Sequence, residues 1–329
     1  MRAYHTTGSE PKITIFDDAE PELSPGAAIV DVHAASLNYR DLLNLDTDVP
    51  FVPLSDGAGV VRAIGDAVTR VRVGDRVAIG FMPGWLSGPL DAAKQASALG
   101  AVDHDGVLRE RLSVSASALV PIPDDMSFVE ASTLPCAGVT AWAALFERRP
   151  LLPGETVLLL GTGGVSIFGL QFAKMAGARV IITSSSDAKL ERARALGADA
   201  TINYRTTPQW ADAVLELTDG RGADLAIDVG GPATLNHTLS AVRYDGRISF
   251  MGVLTGFEGA VSTATLLRKR ITLQGIYVGP VAMLADVVRA CPKPVIDRIF
   301  SFQDAPKAFD TLGSAAHFGK LVIAIPDSS

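Results

Sequence analysis

The feature that most narrows the fold lies near the middle of the chain. The apolar run TVLLL (156–160) passes directly into Gly161-Thr162-Gly163-Gly164-Val165-Ser166 and then into IFGLQFAKMAG, whose apolar residues recur at helical spacing. So tight a strand–turn–helix junction needs glycine where the chain must bend sharply and where a ligand has to approach the backbone, and the first N–H groups of the following helix have no intrahelical partner. Gly161 and Gly163 stand at those two places, while the third position of the pattern carries Ser166, so the helix–strand contact there must tolerate a small hydroxyl. Alone, GTGGVS could also be an ordinary tight turn. Its surroundings decide between the two.

From about residue 156 onward, apolar runs alternate with helical segments. The runs predict strands at 156–160, 179–183, 200–203, 224–229, 247–253 and 271–278. Six nearly continuous apolar strands with helices between them match an α/β doubly wound parallel sheet, which binds a dinucleotide at the Gly-rich turn, its pyrophosphate on the helix N-terminus. Before this region, short β-rich runs such as AAIVDVHAASL, GAGVVRAIG and VLRERLSV are broken by Gly and Pro and predict an irregular β-domain. After Pro280 the pattern predicts one amphipathic helix followed by the extended pieces VIDRIFSF and GKLVIAI, which return to the first domain. The expected division is 1–119 with 281–329 as one domain and 120–280 as the nucleotide-binding domain.

Recognition of NAD normally uses an acidic side chain about 20 residues after the first glycine, at the end of the second strand. Here that strand ends in Thr183-Ser184-Ser185-Ser186, and Asp187 comes late enough to read as the N-cap of the next helix. Small hydroxyls with Lys189 nearby suit a 2′-phosphate, which an Asp would repel, and Tyr204 and Arg205 follow the third strand. The expected cofactor is NADPH. As single cations, Lys189 and Arg205 also fit a solvated surface.

Composition restricts the partners. With 329 residues and 48% hydrophobic content the chain can fill two cores, and a net charge of -7 without a basic block offers no footprint for nucleic acid or an anionic membrane. No run approaches the roughly 18 apolar residues of a membrane span, and MRAYHTTGSEPK lacks the apolar stretch of a secretory signal. Two cysteines, Cys136 and Cys291, make neither a disulfide framework nor a C-x-x-C metal pair, so a reducing, cytoplasmic location is expected.

The blocks SLNYRDLL, VPLSDGAGVV, VGDRVA, LPCAGVTAWAAL, LLPGETVLLLGTGGVSIFGLQFAK, ARALGADATINY and HFGKLVIAI occur in the order and spacing of a medium-chain dehydrogenase/reductase. The resemblance covers essentially the whole chain and is nearest to the zinc-independent quinone reductase and enoyl reductase branches. It implies a GroES-like β-rich catalytic domain, a Rossmann domain and a homodimer. It also implies that Gly163, Gly164 and Val165 cradle the pyrophosphate, that Ser184, Ser185, Lys189 and Tyr204 hold the 2′-phosphate, and that Gly252, Val253, Tyr277 and Val278 border the nicotinamide. Thr140 should lie near that ring, and Lys320 should approach the cofactor phosphates.

The chain departs from the zinc-dependent branch at Asn38 and Ser55, which stand where that branch has a Cys and a His ligand. Cys136 aligns with a third ligand, but a catalytic zinc needs about three protein ligands and an open position; Cys136 therefore reads as a small buried residue, reactive or not. No metal is expected. Without a Lewis acid, hydride transfer from NADPH to a quinone or an α,β-unsaturated carbonyl needs only hydrogen bonds to the developing oxyanion. Tyr39 is the candidate donor, with Asn38 and Arg40 shaping the polar end of the site and Asp41 either orienting them or simply starting a helix. The rival readings are a metal-free alcohol or aldehyde dehydrogenase, an NADPH-binding protein without turnover, and an enoyl-thioester reductase using Lys94 and Arg109 at a basic entrance. Substrate choice should depend on the loop 83–104, with Trp85 and Leu86.

Overall fold

The computed structural model describes residues 1–290 and 292–326, so Cys291 lies outside the described residues. The chain forms two units, Met1–Val139 together with the segment from Val278 onward, and Thr140–Tyr277.

In the unit Thr140–Tyr277, six strands lie parallel in the order Ala200–Asn203, Arg179–Ser184, Thr156–Leu160, Ala223–Asp228, Val242–Phe250, Thr272–Gly275. Numbered along the chain this is 3-2-1-4-5-6, the doubly wound arrangement that places a ligand crevice beyond the carboxyl ends of the strands. Every residue of Thr156–Leu160 and of Ala223–Asp228 is buried, as helices on both faces require. All six expected strands are present. The last is shorter than the apolar pattern suggested, ending at Gly275.

The other unit is built on a seven-stranded sheet. Its path runs Ile296–Ser301, Lys320–Ala324, Ala27–Ser36, Asp56–Ile64, Arg76–Ile79, Leu119–Pro121, and Arg111–Ser115 pairs separately with Ala27–Ser36. Lys320–Ala324 pairs antiparallel with Ala27–Ser36, so the C-terminal strand does return to the N-terminal domain. Two expectations need correction. The division falls after Val139 instead of after residue 119, because Leu119–Pro121 pairs with Arg76–Ile79 and the helix Phe128–Ala131 packs on Ala27–Ser36. A second C-terminal helix, Ala305–Gly313, separates the two extended pieces; it buries Ala305, Ala308, Phe309 and Leu312, a helical spacing in APKAFDTLG. Among the described residues no helix is long and apolar enough to cross a membrane.

Candidate active site

The strand Ala27–Ser36 delivers the chain through Leu37 and Asn38 into the short helix Tyr39–Leu43. Asn38 is extended, and its N–H donates to Asp41 Oδ2 at 2.7 Å, so the Asp41 carboxylate caps the helix that carries it. Its other oxygen, Oδ1, is buried without a hydrogen-bond partner, and the Arg40 guanidinium stands 3.8 Å away. Burial raises the Asp41 pKa to about 6, against the opposing pull of Arg40 and the Asn38 N–H. Arg40 stacks 4.8 Å over the Phe81 ring and donates to Leu99 O at 2.9 Å. Tyr39 is 38% exposed, and among the described residues its hydroxyl has no hydrogen-bond partner.

Behind this corner lies a buried ionic cluster. Lys320, 3% exposed, donates from Nζ to Leu37 O at 2.5 Å and to Asn38 Oδ1 at 2.7 Å. Asp56 accepts from Ser55 Oγ at 2.8 Å and from the Cys136 N–H at 3.0 Å. Burial pushes Asp56 up, while Lys320 and the Asn38 side chain favour its charged form; Asn38 Nδ2 nevertheless reaches no acceptor at hydrogen-bonding distance. Burial lowers Lys320, with Asp56 the leading charge opposing that shift. Leu54, immediately before Ser55, is held at φ +70, a conformation that is costly for a branched side chain and that directs Ser55 and Asp56 into the cluster.

This placement differs from the expectation for Lys320: its ammonium is committed to Leu37 and Asn38 inside the unit. The thiol of Cys136 is also unlike a reactive one, since burial and then Asp56 push its pKa up. Among the described residues no group of three or more His, Cys, Asp or Glu side chains could hold a metal, and the cation beside Asn38 is the lysine itself. Arg109 is paired with Asp18 and Asp105, and Lys94 with Asp91, which leaves neither as an unengaged basic entrance. In the loop 83–104, Trp85 is buried, with Nε1 donating to Gly88 O at 2.8 Å, whereas Leu86 is exposed.

The residues of the Thr140–Tyr277 unit fit a dinucleotide. Gly161 sits at φ +75, and a Cβ built on it or on Gly163 would meet nothing within 4 Å, so the turn is open to a ligand. Gly163 caps the helix Gly164–Met175 without any side-chain bond, leaving the N–H groups around Gly164 and Val165 available to an anion. Ser166 turns its hydroxyl inward to Leu160 O at 2.7 Å, which is how the third position accommodates a non-glycine. At the neighbouring strand end, Ser184 pairs with Asn203 and its carbonyl accepts the Tyr204 N–H at 3.1 Å, with Ser185 next in the chain. Ser186 is the N-cap of the next helix, accepting from the Lys189 N–H; Asp187 is its first residue and accepts from Asn203 Nδ2 at 2.8 Å, which corrects the expected cap by one position.

Asp228 organises the third part of this half and was not singled out by sequence reasoning. Its carboxylate accepts from the N–H groups of Gly230 and Gly231 and from the Thr234 and Thr238 hydroxyls. Gly252 follows the next strand so closely that a Cβ there would lie 2.2 Å from Val229 C, and Val253 comes after it. Thr140 has a buried hydroxyl with no hydrogen-bond partner. Tyr277 is exposed at the end of this unit, and Val278, at φ +56, begins the return to the other.

Residues 24–124 match the family described as alcohol dehydrogenase GroES-like domain, and residues 164–293 the family described as zinc-binding dehydrogenase. A zinc-type alcohol dehydrogenase-like protein of Schizosaccharomyces pombe is 43% identical, covering 95% of this chain and 97% of the relative. A crystal structure of an alcohol dehydrogenase candidate from Sinorhizobium meliloti 1021 superposes with a TM-score of 0.91 at 45% identity, covering 98% of each chain. A quinone oxidoreductase of Pseudomonas syringae pv. Tomato DC3000 superposes with a TM-score of 0.83 at 28% identity, over 98% of this chain and 99% of that one.

Proposed function

We propose that this chain, which belongs to the medium-chain dehydrogenase/reductase superfamily of oxidoreductases, is an NADPH-dependent, metal-free reductase of quinones or α,β-unsaturated carbonyls. The observation that carries the reading is the Lys320 ammonium on Asn38, at the place where the zinc-dependent branch has a ligand. A metal that would polarise an alcohol has no donor set there, whereas an enone or quinone needs only hydrogen-bond donors for the oxygen on which charge develops. Tyr39 is the proton donor in this reading, with Asn38 and Arg40 shaping the polar end and Asp41 holding the helix start.

NADPH supplies the hydride when bound. Gly161, Gly163, Gly164 and Val165 would hold its pyrophosphate, Ser184, Ser185, Lys189 and Tyr204 its 2′-phosphate, and Thr140, Gly252, Val253, Tyr277 and Val278 would border its ring. The lack of a carboxylate at the end of Arg179–Ser184 supports the phosphorylated cofactor. A metal-free alcohol or aldehyde dehydrogenase is the second reading, favoured by Asp41, whose raised pKa suits a base. A homodimer is proposed through the edge strand Thr272–Gly275, where Leu273 is exposed.

The test is oxidation of NADPH by the purified protein with a panel of quinones, 2-alkenals and 2-alkenones, run in parallel with NADH and with a zinc chelator. Chelator-insensitive turnover, weaker with NADH, is expected. Loss of activity to the chelator overturns the metal-free reading, and alcohol oxidation with NADP without reduction of any panel member moves the assignment to the second reading.

A further inference from the structure

Lys320 is separated by 282 residues from Asn38 and by 283 from Leu37, yet its ammonium binds both. Lys320 begins the strand Lys320–Ala324, whose next residue, Leu321, accepts the Leu37 N–H at 3.1 Å. The segment joining Ala27–Ser36 to the helix Tyr39–Leu43 is therefore gripped at three points by one end of the C-terminal strand. An ammonium donates and never accepts, so the Asn38 amide must turn its oxygen toward Lys320, and its Nδ2 must lie on the other side. That Nδ2 is buried and, although drawn toward Asp56, closes no hydrogen bond with it. Tyr39 follows in the chain with its hydroxyl unengaged.

The charge on Lys320 is favoured by the acidic groups around it. Asp56, then Cys136 and Asp41, favour the ammonium that burial opposes, and Asp56 is in turn tied to Ser55 Oγ and the Cys136 N–H. A free lysine at a protein surface would not be arranged in this way. The cost of burying an ion is met only where its hydrogen bonds and counter-charge are in place, so the cluster holds one geometry.

We propose that Lys320 is a positioning residue for hydride transfer, locking Leu37 and the Asn38 amide so that the Asn38–Tyr39 corner keeps one arrangement toward the acceptor oxygen. The proposal rests on the reductase reading for the identity of that acceptor. Its structural part, the lock on the corner, stands apart from that reading.

The experiment compares the full-length protein with Lys320→Met, Lys320→Arg, Asn38→Ala and the Lys320→Met/Asn38→Ala double variant. Lys320→Met/Asp56→Asn, which removes both charges, is used where Lys320→Met alone does not fold. Kinetics with NADPH and the best quinone or enone are read beside the binary Kd for NADPH and backbone hydrogen exchange of residues 38–45. Loss of the lock should lower kcat by about a hundredfold, the order that follows from a displacement of about 1 Å in a positioned group. The NADPH Kd should stay within about threefold, the double variant should be no worse than the worse single one, and exchange of 38–45 should quicken while the rest of that unit keeps its protection.

Lys320→Arg should recover part of kcat, since it restores the charge and donors. Weakening of NADPH binding with kcat unchanged would make Lys320 a cofactor ligand and overturn the proposal, as would multiplicative losses in the double variant or unchanged exchange at 38–45. If the unsubstituted protein turns over no acceptor, the functional reading fails by that result, and the exchange measurement still decides whether Lys320 locks the corner.

Discussion

Replacing Asp41 with Asn keeps an oxygen to accept the Asn38 N–H but removes an ionisation that burial opposes. The Asp41 carboxyl is shifted from 3.8 to about 6, with desolvation the leading cause and Asp56 adding to it, while Arg40, the Asn38 N–H and Lys320 act the other way. An acid whose pKa is higher in the folded state stabilises the fold when protonated. That contribution is complete below about pH 3.8 and is lost as pH rises through about 6. The full effect corresponds to ~3 kcal/mol, of which ~1.4 kcal/mol develops between about pH 5 and pH 8. Relative to the unsubstituted protein, Asp41→Asn should therefore gain stability on going from pH 5 to pH 8, by about 3 to 6 °C in the Tm of the transition that unfolds this unit. Thermal unfolding of both proteins across that range checks it. A Tm difference that stays flat, or that shrinks as pH rises, would refute the view that Asp41 titrates as a buried and incompletely paired carboxyl.

Tyr39→Phe should lower kcat by about a hundredfold or more, within the range of a lost general acid, while leaving NADPH affinity unchanged; full turnover in stopped assays would remove Tyr39 from the mechanism. Ser185→Asp should reverse the cofactor preference, weakening NADPH by roughly tenfold or more relative to NADH through like-charge repulsion, as measured by the ratio of kcat/KM values. Gly252→Ala places a Cβ against the Val229 backbone, so stability should fall by about 1–3 kcal/mol and NADPH titration should show weaker binding. Leu273→Glu on the exposed edge strand should shift sedimentation toward the monomer; an unchanged dimer would locate the interface elsewhere.

Short-range pattern sufficed wherever the determining interactions lie close together in the chain. The apolar runs of the parallel sheet, the glycines of 161–164 and the missing acid after Thr183 could all be read as sequence, because strand burial, a tight turn and ribose recognition each depend on a few consecutive residues. The same locality explains why Asn38, Tyr39, Arg40 and Asp41 could be named together: they form one strand-to-helix corner. The cap at Ser186 was misread by one residue because Ser186 and Asp187 both suit such a position, and only backbone geometry chooses between them.

Tertiary structure decided what depends on distant partners. Residues 120–139 belong to the first unit, and the pairing of Leu119–Pro121 with Arg76–Ile79, across the intervening residues 80–118, ties their start to it. The location of the Lys320 ammonium follows from strand pairing between the two ends of the first unit, which carries Lys320 beside Leu37 and Asn38. Asp56 and Asp228 escaped notice because a single Asp in a β-rich run has no periodic signature; each acquires its role only when folding buries it and surrounds it with donors. Sequence determined the strands and the Gly-rich turn of the parallel-sheet unit, whose patterns are local. The electrostatics of the site arise from burial, which brings together charges that are far apart in the sequence and removes the water that would otherwise screen them.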